Sequence, residues 1–332
     1  MIEWGRTEDE TVEKRILVLL PVREEHRELL ENAAPQARIT FCRPAELTGQ
    51  IAASAQGVIG NIDPKFLPDM AALEWLQLNS AGADAYLKPG VLPAGTVLTN
   101  ATGAYGLAIG EYLVGMLLAL YKKLPLYRDQ QFEGRWENRG QVRSIFGARV
   151  LIVGLGDIGS EFARRLRPFG ATLIGVRRHE GPCPAYVDEI HTVGELDRLL
   201  PQADVVALCL PGTAETRGLL DRRRLSLLRR DAVLLNVGRG NAVDLDALCE
   251  LLERGELWGA GLDVTDPEPL PAGHPIWRQE RALITPHVSG GYQLPETFER
   301  IVRIAAENLR RFCNGEELLN QVDFSTGYRR KI

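Results

Sequence analysis

The chain has 332 residues, enough for two domains of ordinary size. Its 45% hydrophobic and 25% charged residues match a soluble globular protein, and a net charge of −5 argues against nucleic acid as its main partner. No apolar stretch reaches the ~18 residues of a membrane span, and five scattered cysteines without C-x-x-C pairing suit a reducing, cytoplasmic compartment with neither a disulfide framework nor a metal site.

A polar leader runs to Lys14, and the first apolar run, Ile16–Leu20, is too short for a secretory signal. Arg15–Leu20 reads as a strand, Glu24–Asn32 as a helix, Ala37–Phe41 as a strand and Pro44–Ala53 as a helix. Gly57–Ile59, Leu73–Leu78 and Thr96–Thr99 continue the strand series. This alternation predicts a small parallel α/β sheet. Ala108–Tyr121 is a long apolar helix carrying Gly110 and Gly115, read as the bridge to a second domain. Trp136, after Tyr127 and Gln131, is expected to pack and not to touch substrate.

The second unit opens with strand Val150–Val153, helix Ile158–Phe169 and strand Thr172–Val176. Strands Asp204–Cys209, Ala232–Val237, Gly259–Leu262 and Ala282–Ile284 follow, with a helix at Leu245–Arg254. Six strands make a complete dinucleotide-binding domain. The amphipathic helix Glu296–Phe312 can then carry the chain back to the first domain, which is therefore discontinuous. The reading is two α/β domains, Rossmann-like and flavodoxin-like, with doubly wound parallel sheets. Residues 1–101 and 290–332 form a substrate domain and 102–289 a dinucleotide-binding domain. The cluster Arg222-Arg-Arg224 with Arg229-Arg230 reads as a solvated helix face, not a polyanion site.

Between Val150–Val153 and the following helix lie Gly154, Gly156 and Gly159, at G-x-G-x-x-G spacing. Gly154 permits a tight turn, Gly156 lets backbone approach a pyrophosphate, and Gly159 lets helix pack on strand. The helix N-terminus beyond, from Asp157 and Ile158, faces the anion with free N–H groups. About 20 residues past the glycines, NAD binding uses an acid on the ribose 2′-hydroxyl. That position is Arg177, followed by Arg178. Arginine accepts no hydrogen bond, but an arginine pair suits a 2′-phosphate, so NADP(H) is preferred. Glu180 admits NAD(H) only if its loop folds back.

Past three later strands stand Arg239, within Asn236–Gly240; Glu268, within Asp263–Pro269; and His287, within Thr285–Gly291. Reduction of a 2-oxo acid needs its carboxylate held and a proton delivered to the carbonyl oxygen. Arg239 can hold the carboxylate through a bidentate pair. His287 can give or take the proton. Glu268 would orient the ring and favour its protonated form. His26, His179, His191 and His274 lack such company and read as surface or loop residues.

With these motifs the chain resembles the D-isomer-specific 2-hydroxyacid dehydrogenases, in particular glyoxylate/hydroxypyruvate reductases or phosphoglycerate dehydrogenase-like members. The likeness rests on the mid-chain glycine turn, Arg239-Gly240, Glu268-Pro269 after Leu262-Asp263-Val264, and Pro286-His287. It extends to Asn79–Asp84, similar to the family's substrate loop, and to Asn100–Gly103 and Glu111. The resemblance implies Arg239 as substrate anchor, His287 as acid/base, Glu268 as its partner, and Asp263 near the nicotinamide amide. It also implies that the N–H groups of Ala81, Gly82 and Ala83 meet the substrate carboxylate. Further cofactor contacts are expected at Leu210, Pro211, Val237, Gly238 and Gly290. Thr265-Asp266 and the open Gly290-Gly291 depart from the family pattern and bear on substrate preference.

The expectation is an NADP(H)-linked reductase of small 2-oxo acids such as glyoxylate or hydroxypyruvate, working in a cleft between two domains. The resemblance further implies a homodimer through the cofactor domains, near Ala108–Tyr121. Two alternatives stand beside it. One is an NAD-linked 3-phosphoglycerate dehydrogenase; the other is a non-catalytic protein that senses bound dinucleotide and controls association.

Overall fold

A computed structural model describes residues 13–292 and 294–330; the leader up to residue 12 lies outside them. The chain divides into two compact units. One runs to Thr102 and resumes at Glu299; the other is Gly103–Phe298. The second crossing thus falls inside the last helix, a few residues beyond position 290. Gly290 and Phe298 explain this, because Gly290 packs on Tyr105 and Ile109, and Phe298 on Tyr292.

The first unit holds a five-stranded parallel sheet. Its strands are β1 (Arg15–Val18), β2 (Arg38–Phe41), β3 (Gly57–Ile59), β4 (Trp75–Gln77) and β5 (Val97–Thr99), in the order β2-β1-β3-β4-β5. This is the flavodoxin-like order. α1 (Glu24–Ala33) follows β1, and α2 (Gly49–Ala53) follows β2. The single helix read over Pro44–Ala53 is two pieces, a 3-10 turn at Pro44–Glu46 and then α2. Thr48 accepts from the Ile51 N–H and starts α2 afresh. Leu17, Val58, Leu76 and Leu98 form the sheet's share of a core closed by Ala52, Leu67, Tyr86 and Val322.

The second unit begins with α3 (Gly106–Tyr121) and α4 (Leu124–Phe132). Then come β6 (Arg149–Val153), α5 (Asp157–Leu166), β7 (Thr172–Arg177), β8 (Glu189–Thr192), α6 (Leu196–Leu199) and β9 (Val205–Leu208). α7 (Arg222–Leu225), β10 (Val233–Asn236), α8 (Leu245–Glu253), β11 (Gly259–Leu262), β12 (Ala282–Ile284) and the start of α9 (Pro295–Cys313) complete it. The sheet has seven parallel strands, β12-β11-β10-β9-β6-β7-β8. The added strand, β8, escaped the sequence because Glu-Ile-His-Thr is a half-buried edge without an apolar run.

α3 lies wholly in this unit, packed on α5, so it is not a bridge. A Cβ on Gly110 would stand 3.2 Å from Glu161 of α5, whereas Gly115 faces open space. Of these two, Gly110 is the one that serves close helix approach. The arginine cluster is paired: Arg222 bonds Glu250 at 2.6 Å, and Arg223 and Arg224 share Asp197 at 2.7 Å. Two readings are corrected. His26 is a buried helical residue bonded to Glu299, and His191 belongs to β8 between Glu189 and Glu195. Trp136 is fully exposed at 101%, so the expected packing is not found among the described residues.

Candidate active site

β6 connects onward to β7 on one side, while β9 lies against its other edge, so β6 and β9 mark the switch point of the sheet. Ligands of open α/β sheets bind at such a crevice, at the carboxyl ends of the strands. The glycine turn occupies it. Gly154 has φ +100°, and a Cβ there would lie 2.6 Å from the Cys209 carbonyl oxygen at the end of β9. A Cβ on Gly159 would overlap the Gly154 carbonyl. Gly156, by contrast, has open space before it, and as N-cap of α5 it leaves the helix's first N–H groups without a side-chain cap. Turn, open approach and uncapped helix end fit a dinucleotide pyrophosphate.

The Asp157 carboxylate is turned away from that turn. Its Oδ2 accepts the Gly103 and Gly106 N–H groups at 3.1 and 2.9 Å, at the start of α3. A negative charge next to a pyrophosphate is thereby diverted into a helix terminus where it is favourable. Ile158 is half-buried beside it. Leu210 and Val237 are buried, Pro211 is half-buried, and a Cβ on Gly238 would lie 2.6 Å from the Leu210 oxygen. The ends of β9 and β10 are thus pressed together.

Arg177 ends β7, one strand from the glycine turn, and Gly154 donates to the Val176 oxygen at 2.9 Å. Its guanidinium donates to the Pro182 carbonyl at 2.9 Å, which curls the following loop around it. Arg178 bonds His179 at 2.9 Å, and Glu180 is exposed.

β10, β11 and β12 are adjacent and parallel, so their carboxyl ends lie along one edge. Arg239 follows β10, Glu268 follows β11 and His287 follows β12. His287 Nδ1 lies 2.9 Å from Glu268 Oε2, both side chains being partly open to solvent. The other Glu268 oxygen accepts the Thr265 N–H at 3.0 Å, so the carboxylate is held at both ends. Nδ1 engaged by a carboxylate carries a proton, and Nε2 is left to exchange one. Gly240, next to Arg239, touches the same segment: any Cβ there would overlap the Thr265 carbonyl group. Arg239 donates to the Gly238 oxygen at 2.8 Å and is half-buried.

Asp263 is 1% exposed and holds the His287 loop. Its Oδ1 accepts from Thr285 Oγ1 at 2.7 Å and the Val288 N–H at 2.9 Å; its Oδ2 accepts from the Ser289 N–H at 3.0 Å and the Ser289 hydroxyl. Four donors fill an ionised carboxylate's acceptor sites. The Asp263 carbonyl takes the His287 N–H at 2.7 Å, and His287 has φ +52°. A non-glycine residue held left-handed is a strained position that its surroundings enforce. The bracing roles of Thr285 and Ser289 were missed in the sequence, and Thr265 was read there only as a departure from the family pattern. Their only signal was polarity near a catalytic motif, and their partner in the chain is more than 20 residues away for Thr285 and Ser289. Gly290 serves packing on α3.

In the other unit, Asn79–Ala83 follows β4. Among the described residues the Ala81, Gly82 and Ala83 N–H groups donate to no protein acceptor, while Ala81 and Gly82 are half-buried. Among the described residues no cluster of His, Cys, Asp and Glu could hold a metal ion, and no helix is long and apolar enough to cross a membrane.

Helix-flanked parallel strands with this turn at their switch point define a dinucleotide-binding α/β protein. Residues 114–289 match the family model described as "D-isomer specific 2-hydroxyacid dehydrogenase, NAD binding domain". A glyoxylate/hydroxypyruvate reductase B of Pectobacterium carotovorum is 30% identical over 82% of this chain and 86% of its own. A D-isomer specific 2-hydroxyacid dehydrogenase family protein of Aeromonas salmonicida has a solved structure that is similar at TM-score 0.82 and 33% identity, covering 94% of this chain and 99% of that one. Another, from Xanthobacter autotrophicus in complex with NADPH and MES, gives TM-score 0.80 and 29% identity, covering 95% and 100%. The chain belongs to the family of D-isomer-specific 2-hydroxyacid dehydrogenases and is an NAD(P)-dependent enzyme.

Proposed function

We propose that the protein is an NADP(H)-linked reductase of small 2-oxo acids, of the glyoxylate and hydroxypyruvate class. The observation that carries this reading is the imidazole–carboxylate pair at 2.9 Å, set on the same strand edge as Arg239. Arg239 binds the substrate carboxylate through a charge-assisted pair. His287 Nε2 donates a proton to the carbonyl oxygen on reduction and takes it back on oxidation. Glu268 holds the ring through Nδ1 and so turns Nε2 towards the reacting atoms. The N–H groups of Ala81–Ala83 supply further donors for the carboxylate. The nicotinamide, when bound, supplies the hydride.

Gly154, Gly156, Gly159 and the first turn of α5 would hold the pyrophosphate, with Leu210, Pro211, Val237 and Gly238 lining the neighbouring strand ends. Arg177 and Arg178 take the 2′-phosphate. The absence of an acid at the end of β7 supports this, as does the NADPH found in the Xanthobacter relative. Asp263 acts by fixing the loop that carries His287.

Steady-state kinetics with glyoxylate, hydroxypyruvate and 3-phosphoglycerate against both coenzymes tests the reading. NADPH should show the lower KM, and Arg177→Asp should reverse that order. His287→Ala should lower kcat by about 10²- to 10⁴-fold. A lower KM for NADH, or 3-phosphoglycerate as the preferred substrate, overturns it.

Two copies pair through the dinucleotide-binding unit. Support comes from α4 and the segment after it. Trp136, Phe146 and Phe132 are 101%, 79% and 73% exposed, and Leu124 and Val142 are exposed too. Gln130, in the same helix as Phe132, is 2% exposed, and neither of its amide atoms has a hydrogen-bond partner among the described residues. These exposed apolar residues between 124 and 146 suit a surface that a second copy covers.

A further inference from the structure

The loop after β4 is held almost entirely by amide side chains from neighbouring strand ends. Asn61, after β3, accepts the Asn79 N–H at 3.1 Å through Oδ1, and Asn79 Oδ1 accepts the Asn61 N–H at 2.6 Å. The Ser80 hydroxyl donates to the Gly82 carbonyl at 2.6 Å. The Ala101 N–H donates to the Ser80 carbonyl at 3.0 Å. Asn100, just past β5, donates from Nδ2 to the Ala81 carbonyl at 2.8 Å. Each carbonyl from Ser80 to Gly82 is therefore tied inward. The Ala81 to Ala83 N–H groups are left without a protein acceptor among the described residues.

Asn100 is itself held by the C-terminal tail. Asn320, which follows α9, donates from Nδ2 to the Asn100 carbonyl at 3.3 Å and the Thr102 carbonyl at 2.8 Å. The Asn100 N–H returns a bond to the Asn320 carbonyl at 3.2 Å. Both residues are buried, at 5% and 8% exposure. Asn320 sits at φ +56°, a conformation that asparagine tolerates better than most residues, and Arg329 donates to its Oδ1 at 3.1 Å. A carboxylate cannot serve at either position, because each bond to a backbone carbonyl needs a donor hydrogen, and Asn320 uses both hydrogens of its amide.

We propose that Asn100 and Asn320 are positioning residues of the substrate site: Asn320 fixes Asn100, and Asn100 holds the Ala81 carbonyl so that the loop's N–H groups stay presented to a 2-oxo acid carboxylate. The inference rests on the reading above that this loop receives the carboxylate. Its consequence is that the C-terminal tail governs affinity for the oxo acid and leaves coenzyme affinity alone.

The test uses Asn320→Gly, which keeps the left-handed backbone and removes the amide, and Asn100→Ala, which removes the donor to Ala81 without adding a charge. With hydroxypyruvate and glyoxylate, KM should rise about tenfold in each while kcat stays within threefold, as expected for a lost hydrogen bond acting on binding. The dissociation constant for NADPH, read by fluorescence, should not move. A merely structural role would lower the melting temperature and the active fraction without raising KM, and that outcome overturns the inference. Should either variant fail to fold, hydrogen exchange on the wild-type enzyme with NADPH decides. Oxalate, as a carboxylate probe, should slow exchange in the peptides covering 79–86 and 318–330 together. Protection of the first alone sinks the proposal. A wild-type enzyme that reduces neither oxo acid refutes the functional reading itself, a separate result.

Discussion

Gly240 shows how little freedom one position near the site has. It adjoins Arg239 in sequence and touches the Thr265 backbone, whose N–H holds Glu268. Gly240→Ala must push Thr265 away, and Glu268 then loses its grip on His287. Displacements of this order cost about 10²-fold in rate. We expect kcat to fall by about that factor while the protein still melts cooperatively and binds NADPH; unchanged kcat would contradict the coupling. Arg239, Glu268 and His287 were legible in the sequence because each ionisable residue stands beside Gly or Pro just past an apolar run. Asp263 was legible only as a motif member. Its four bonds to the His287 loop depend on β11 and β12 lying side by side, which nothing local in the sequence states.

Helix α9 returns to the first unit through a buried polar network. Asn308 donates to Gln77 Oε1 at 2.7 Å and to the Leu319 carbonyl at 3.0 Å, and accepts the Leu319 N–H at 2.7 Å. Thr99 bonds the same Gln77 oxygen and receives the Trp75 indole N–H at 2.8 Å. Asn308→Ala strands these groups in a dry core, and each unsatisfied group costs about 1–3 kcal/mol. We expect a destabilisation of about 3 kcal/mol in denaturant titration. An effect below about 0.5 kcal/mol, the range of ordinary surface changes, would mean that water replaces Asn308. One turn along, hydrogen bonds from Arg310 and Arg311 pull the Glu307 carboxyl down to about 2. A lowered folded-state value stabilises above the unfolded value of about 4.3, and this contribution fades as pH falls towards 2. Melting temperatures of wild type and Glu307→Gln should therefore differ at pH 7 and converge near pH 2. The gap should be under about 1 kcal/mol, since the pair is open to solvent. Most strands and long helices were legible from apolar runs and helical periodicity. β8 and α4 were not: the first is a polar edge, and the second hides behind Pro125 and a left-handed Lys123.

For the whole molecule, the doubly wound order of both sheets follows from strand–helix alternation, and that was readable along the chain. The discontinuity of the first unit was readable too, from a long amphipathic helix after the last strand. The exposed stretch around Trp136 was not, since an aromatic residue in a sequence looks the same whether its own chain or a second copy covers it. A surface depression borders that stretch, lined by Leu126, Arg139, Asp231, Trp258 and Arg281. Asp231, Trp258 and Arg281 immediately precede β10, β11 and β12, so it lies at the amino ends of the strands, opposite the chemistry. Sedimentation velocity should give a dimer for the wild type. Trp136→Glu with Phe132→Glu should shift it towards monomer while NADPH binding persists. A wild-type monomer at micromolar concentration would remove the pairing.

The clamp that Asp263 places on both flanks of His287 bears on which way turnover runs in the cell. An imidazole whose loop is held on both sides gives and recovers its proton along one path, and like any catalyst it leaves the balance between oxo acid and hydroxy acid unaltered. Net flux then follows the concentrations of both acids and both coenzyme forms that surround the enzyme.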